Sequence, residues 1–101
     1  MPFVKLASLD ELPEGGSLEA LHGDQVIALF RVNGEIQAID GLCPHQGGPL
    51  ADGDISGCVV TCPWHGWQFD IKDGRMLNSK KIKLQIFETR VEGSDILVLV
   101  P

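Results

Sequence analysis

An all-β fold is expected for this chain of 101 residues, and three features of the sequence predict it. No stretch shows the sustained three-to-four spacing of apolar residues that an amphipathic helix needs. Glycine punctuates the chain at short intervals, with β-branched runs between. Two of those runs, "QVIALFRV" (25–32) and "EIQAID" (35–40), are joined by Asn33-Gly34. That dipeptide suits a two-residue hairpin turn, because both central residues must adopt positive φ.

Taken in order, "SLDELPEGG" near the start predicts one short helical turn capped by Ser8 or Asp10 and ended by Pro13 and Gly15-Gly16. The Asn33-Gly34 hairpin follows. A weaker hairpin joins "WQFDI" to "RML" through Asp73-Gly74, and a third spans 88–100 with its turn at Gly93-Ser94. In "KLQIFETRVE" the apolar positions Leu84 and Ile86, then Phe87 and Val91, change parity, which predicts a bulge or a corner between sheets. Residues 41–80 hold all three cysteines and more than half of the glycines. This stretch reads as a site built on loops and carried by a β scaffold.

Length predicts one domain over 1–101. The longest apolar runs are far short of the roughly 18 residues of a membrane span, and Met1-Pro2-Phe3-Val4-Lys5 lacks the pattern of a secretory signal. A cytoplasmic protein is expected. Three cysteines without an export signal argue for metal or catalytic use over a disulfide framework. The net charge of −6 disfavours a nucleic-acid surface. It is unevenly spread, with nine acids against Lys5 and Arg31 through residue 61 and a slight basic excess afterwards. Such a flank either steers a basic partner or simply keeps the protein soluble.

The chemistry is concentrated in "CPHQGGPL", from Cys43, and "CPWHGW", from Cys62. Structural zinc ligands usually come as Cys-x₂₋₄-Cys and His-x₃₋₅-His. Cys43 and His45 are too close for an easy chelate on one tetrahedral ion. Two adjacent metals relieve that crowding: Cys43 and Cys62 would hold one iron of a binuclear iron–sulfur cluster, and His45 and His65 the other. Zinc in the same pocket is the competing reading, and with it an interaction module.

Cys43-x-His45, sixteen intervening residues, then Cys62-x-x-His65 resembles the Rieske [2Fe–2S] motif. Over its whole length the chain is similar to the stand-alone Rieske ferredoxins of multicomponent, aromatic-ring oxygenases. The resemblance implies three small antiparallel sheets, with residues of about 41–80 as the cluster-binding part. It also implies a soluble monomeric one-electron carrier that is not itself an enzyme. A flavin-containing, NAD(P)H-dependent reductase would load it, and a terminal oxygenase would receive the electron. The alternative is a small Rieske-type subunit of a nitrite reductase or another oxidoreductase complex. A complete oxygenase is not expected, because only His22 remains for a mononuclear iron site.

Rieske proteins of respiratory complexes carry an extra disulfide where this chain has Gly48 and Trp64, and serine and tyrosine hydroxyls where it has Trp67 and Phe69. Fewer hydrogen bonds to sulfur imply a potential toward the low end of the roughly −150 to +300 mV Rieske range. Many relatives also have a proline-containing covering segment, which "MLNSKKIK" (76–83) lacks. Exposed ligand imidazoles would shorten the path to a partner and couple charge to protons.

The remaining residues have plainer expectations. Cys58 is expected in a buried strand and His22 in a loop. Trp67 is expected in the core, whereas Trp64 is equally suited to core and cluster edge. Gly47, Gly48 and Gly66 would let backbone approach the sulfurs. The lysines at 80, 81 and 83 read as a solvated strand end.

Overall fold

The computed structural model describes residues 3–44, 47–64, 66–77, 79 and 81–100. Strand β1 (Phe3–Ser8) runs into a 3₁₀ turn at Leu9–Glu11, where the Glu11 carboxylate accepts the Ser8 N–H. Ser8 is thus the capping residue of the expected turn. Next come β2 (Ser17–His22), β3 (Gln25–Val32) and β4 (Glu35–Asp40). After a 3₁₀ turn at Leu50–Asp52 lie β5 (Asp54–Ser56), β6 (Val59–Thr61) and β7 (Gln68–Asp70), then β8 (Ile86–Phe87), β9 (Thr89–Glu92) and β10 (Asp95–Leu99).

These strands form three small antiparallel sheets, ordered β1-β10-β9, β2-β3-β4-β8 and β5-β6-β7. The predicted fold class is observed. No helix among the described residues is long and apolar enough to cross a membrane.

Why β3 reads as one unbroken apolar run is clear from its two faces. Ile27 and Leu29 point into a core shared with Ala7, Leu12, Ile96 and Val98. Ala28, Phe30 and Val32 point into a second core with Ile39, Leu50, Val60, Phe69, Ile71 and both Cys43 and Cys62. A strand buried on both faces loses the usual polar alternation. It therefore ties the sheet next to the two cysteines to the scaffold behind it.

The hairpin turns fall where the dipeptides place them. Val32 pairs with Glu35 across Asn33 (φ 54) and Gly34 (φ 77), and Glu92 pairs with Asp95 across Gly93. The Glu14 carboxylate accepts the N–H groups of both Asn33 (2.8 Å) and Gly34 (2.7 Å), fixing that turn from a loop nineteen residues away.

The change of parity is a corner between sheets. Phe87 pairs with Ala38 of β4, whereas Thr89 two residues later pairs with Val98 of β10. The corner leaves Ile86 and Val91 exposed, at 46% and 44%. Alternation alone would have buried both; Ile86 opens the two-residue β8, and Val91 lies one residue before the end of β9.

Candidate metal centre

Both cysteine loops spring from the ends of short strands, and the same backbone frame closes each of them. In the first, the Cys43 N–H donates to Gly48 O at 2.8 Å; in the second, the Cys62 N–H donates to Trp67 O at 2.7 Å. Each bond spans five residues, and each frame places a glycine with φ 74 at its fifth residue, Gly47 in one and Gly66 in the other. Frames of equal length therefore carry His45 and His65 at different steps from their cysteines. The two histidines lie outside the described residues.

The frames bring Cys43 and Cys62 together in one core, each 2% exposed, close enough for the Cys43 thiol to act on that of Cys62. Burial pushes the Cys62 thiol above its ordinary value; the Trp64 N–H, 3.4 Å from Cys62 Sγ, pulls it down, and the neighbouring Cys43 thiol adds to the rise. Two buried sulfurs in one core are suited to a shared cation, which binds thiolates and releases their protons.

Gly48 makes room for this pair. A Cβ built there would lie 2.8 Å from Cys62 Sγ and 3.1 Å from Trp64 Cγ. Close approach is thus the role of Gly48, whereas a Cβ at Gly47 or Gly66 would meet nothing within 4 Å. Those two adopt positive φ, which serves turn geometry.

Trp64 is 48% exposed, with the base of its side chain against Gly48. It sits at the edge of the site. Trp67 is partly buried against the core that holds the cysteines, and Phe69 is fully buried in that core. Cys58 departs from its expected place: it lies in the turn before β6, half-buried, because Gly57 at φ 60 begins the chain reversal there. His22 ends strand β2 and is exposed, where a loop was expected; its partner across the turn is Gln25.

Sequence reasoning missed the equal frames, although their signal was present. Glycine stands four residues after each cysteine, at 47 and 66.

The family model described as the Rieske [2Fe-2S] domain matches residues 2–93. The chain belongs to the Rieske [2Fe–2S] family. A Rieske [2Fe–2S] cluster is the cofactor of this family, and the adjoining buried thiols and the Gly48 cradle fit it. The Rieske chain is 35% identical over 100 residues to the biphenyl dioxygenase ferredoxin subunit of Pseudomonas sp. (strain KKS102), covering 97% of this chain and 92% of that one. Among solved structures it resembles one titled as a complex of reduced oxygenase and oxidized ferredoxin in carbazole 1,9a-dioxygenase. That match has a TM-score of 0.86 at 25% identity and covers 95% of this chain and 91% of that one. The nitrite reductase small subunit from Mycobacterium tuberculosis, described as NADH-dependent, superimposes with a TM-score of 0.86 over 96% of this chain and 93% of that one; at 23% identity it shows the fold alone.

Proposed function

We propose that this chain is a one-electron carrier, a single Rieske domain serving a multicomponent oxygenase. Cys43 and Cys62 would hold one iron of the cluster, and His45 and His65 the other. When bound, the group supplies reversible uptake of a single electron. The protein makes and breaks no substrate bond itself.

The observation that carries the reading is the pair of adjoining buried thiols at Cys43 and Cys62, presented by two loops of one frame. The likeness to a dioxygenase ferredoxin subunit over nearly the whole chain supports the carrier role. A flavin-containing, NAD(P)H-dependent reductase as donor, a terminal oxygenase as acceptor, a monomeric state and a cytoplasmic location complete the proposal.

The chain's own residues have definable tasks in this reading. Phe69, Val60 and Leu50 exclude water behind the sulfurs, each at 0% exposure. Trp64 covers the rim and donates its N–H to Cys62 Sγ. With no hydroxyl at 67 or 69, a bound group receives fewer donors than in the respiratory Rieske proteins.

Electron paramagnetic resonance of the purified protein after dithionite reduction, with iron and sulfide analysis of the same sample, tests the reading. A rhombic signal of lowered average g, with two irons and two sulfides per chain, is expected. A colourless, silent, zinc-containing protein would overturn it.

A further inference from the structure

Of the eight basic residues in the chain, five fall at 72, 75, 80, 81 and 83, with Asp73 the sole acid between 72 and 83. This segment is net positive in a chain of net charge −6. The 80th residue lies outside the described ones; Lys72, Arg75, Lys81 and Lys83 are all exposed. Among the described residues only Arg75 of these four has an ion pair, with Asp73 at 2.7 Å.

These cations are held on a fixed ribbon. Arg75 bridges Lys83, Met76 donates to Ile82 O at 3.1 Å, and Leu84 donates to Gly74 O at 2.8 Å. Gly74, at φ 81, allows its backbone to press against Leu84 O, where a Cβ would collide. The ribbon flanks β7: Phe69 bridges Met76, and the Leu77 N–H donates to Gln68 O at 3.0 Å. Gln68 directly follows Trp67, the residue that closes the second cysteine loop. One end of the ribbon therefore adjoins the metal centre.

The ribbon also carries apolar surface. Leu77 is 49% exposed and, with Met76, Asp70, Arg75 and Ser79, lines an open hollow of about 380 Å³. Arg75 and Asp70 edge the apolar hollow, and Lys81 and Lys83 lie on the same ribbon beyond it; charge around an apolar patch matches the rim and centre of a protein interface. The chain's acidity elsewhere disfavours nucleic acid, and one exposed leucine offers little depth for a lipid surface.

We propose that the ribbon formed by residues 70–77, 79 and 81–84 is a docking surface for an acidic protein surface. Resting on the carrier reading, its occupant is a redox partner that presents carboxylates around an apolar anchor. The acidic remainder of the chain repels the same partner elsewhere, so encounters are oriented toward the metal centre.

The test uses the ¹⁵N-labelled holo-protein and a deca-glutamate peptide as probe at low ionic strength, where surface charges act over tens of ångströms. Expected are amide shifts confined to residues 70–86, and binding about tenfold weaker in Lys81→Glu/Lys83→Glu, a loss of roughly 1.4 kcal/mol. Lys72→Glu, on the opposite limb, should weaken it in the same direction, while Glu19→Lys/Asp24→Lys should retain it. Shifts elsewhere, unchanged binding in both lysine variants, or tighter binding of decathymidylate or phosphatidylglycerol vesicles than of the peptide would overturn the proposal. The resonance spectrum of each variant reports separately on the carrier reading. An intact signal with no peptide binding sinks only the docking surface.

Discussion

Gly48 lies directly against Cys62: the space its missing side chain leaves is shared by Cys62 Sγ and the base of the Trp64 side chain. Cys62 is not free to withdraw, since it is buried in the core, and the Trp64 backbone is held to the same sulfur by its main-chain N–H. Gly48→Ala is therefore expected to displace the Cys62 loop and lower iron and sulfide content to well under half of the parent value. Gly66→Ala, which meets no neighbour, should cost about 1 kcal/mol of stability through its positive φ and leave the metal content largely intact. Iron analysis of the two variants side by side distinguishes close approach from turn geometry.

Phe69→Tyr should raise the reduction potential. Phe69 shares its core with Cys43 and Cys62, so a hydroxyl there adds a donor beside the sulfurs. One such bond favours the reduced state by about 1 kcal/mol, or roughly 40 mV for one electron. Protein-film voltammetry reads the shift directly. A lower potential in the variant would contradict the account of Trp67 and Phe69 as missing donors.

Cys58→Ser should leave two irons per chain, because Cys58 sits in a turn and packs only partly against the core. Cys43→Ser and Cys62→Ser should each abolish the rhombic signal. Loss of iron in Cys58→Ser as well would remove Cys43 and Cys62 from their special position.

Glu14→Ala should unlock the first hairpin turn. Its carboxylate accepts two backbone donors, at Asn33 and Gly34, and removing it is expected to cost about 1 kcal/mol. Urea denaturation gives the total. Faster hydrogen exchange confined to the Asn33 and Gly34 amides identifies the cause.

Asp73 gives stability a small dependence on acid. The backbone N–H of Arg75 above all, then its guanidinium, holds the Asp73 carboxyl below its ordinary value of 3.8. A carboxyl depressed in the folded state stabilises above the unfolded value, and that contribution is lost as pH falls through the folded one. Asp73→Asn should therefore be less stable than the parent near pH 6, with the difference shrinking below about pH 4. Thermal unfolding of both proteins across that range checks it, and a gap that widens in acid would reverse the assignment.

Most of this architecture is legible in local chemistry. Asn33-Gly34 and Gly93-Ser94 mark their turns because positive φ restricts which residues can stand there. The corner at Glu88 is visible as broken alternation. What escapes is set by distance in space. Nothing near Glu14 in the chain says that it clamps a turn nineteen residues on, and nothing near Ile86 says that its strand will be only two residues long. At the metal centre, residue types and spacing predict Cys43 and Cys62 as partners, and the structure brings them together. The different tasks of Gly47 and Gly48 follow only from what packs across the gap from the second loop.

The equal frames of the two cysteine loops also set how the segment tolerates changes of length. Each frame is shut by a backbone bond from its cysteine N–H over a fixed number of residues, so neither accepts an insertion without losing that closure and its positive-φ glycine together. The turn that Gly57 begins, outside both frames and exposed at that residue, carries no such restriction. An engineered tag or reporter belongs there, and the first protein to lose its colour should be the one lengthened between Cys43 and Gly48.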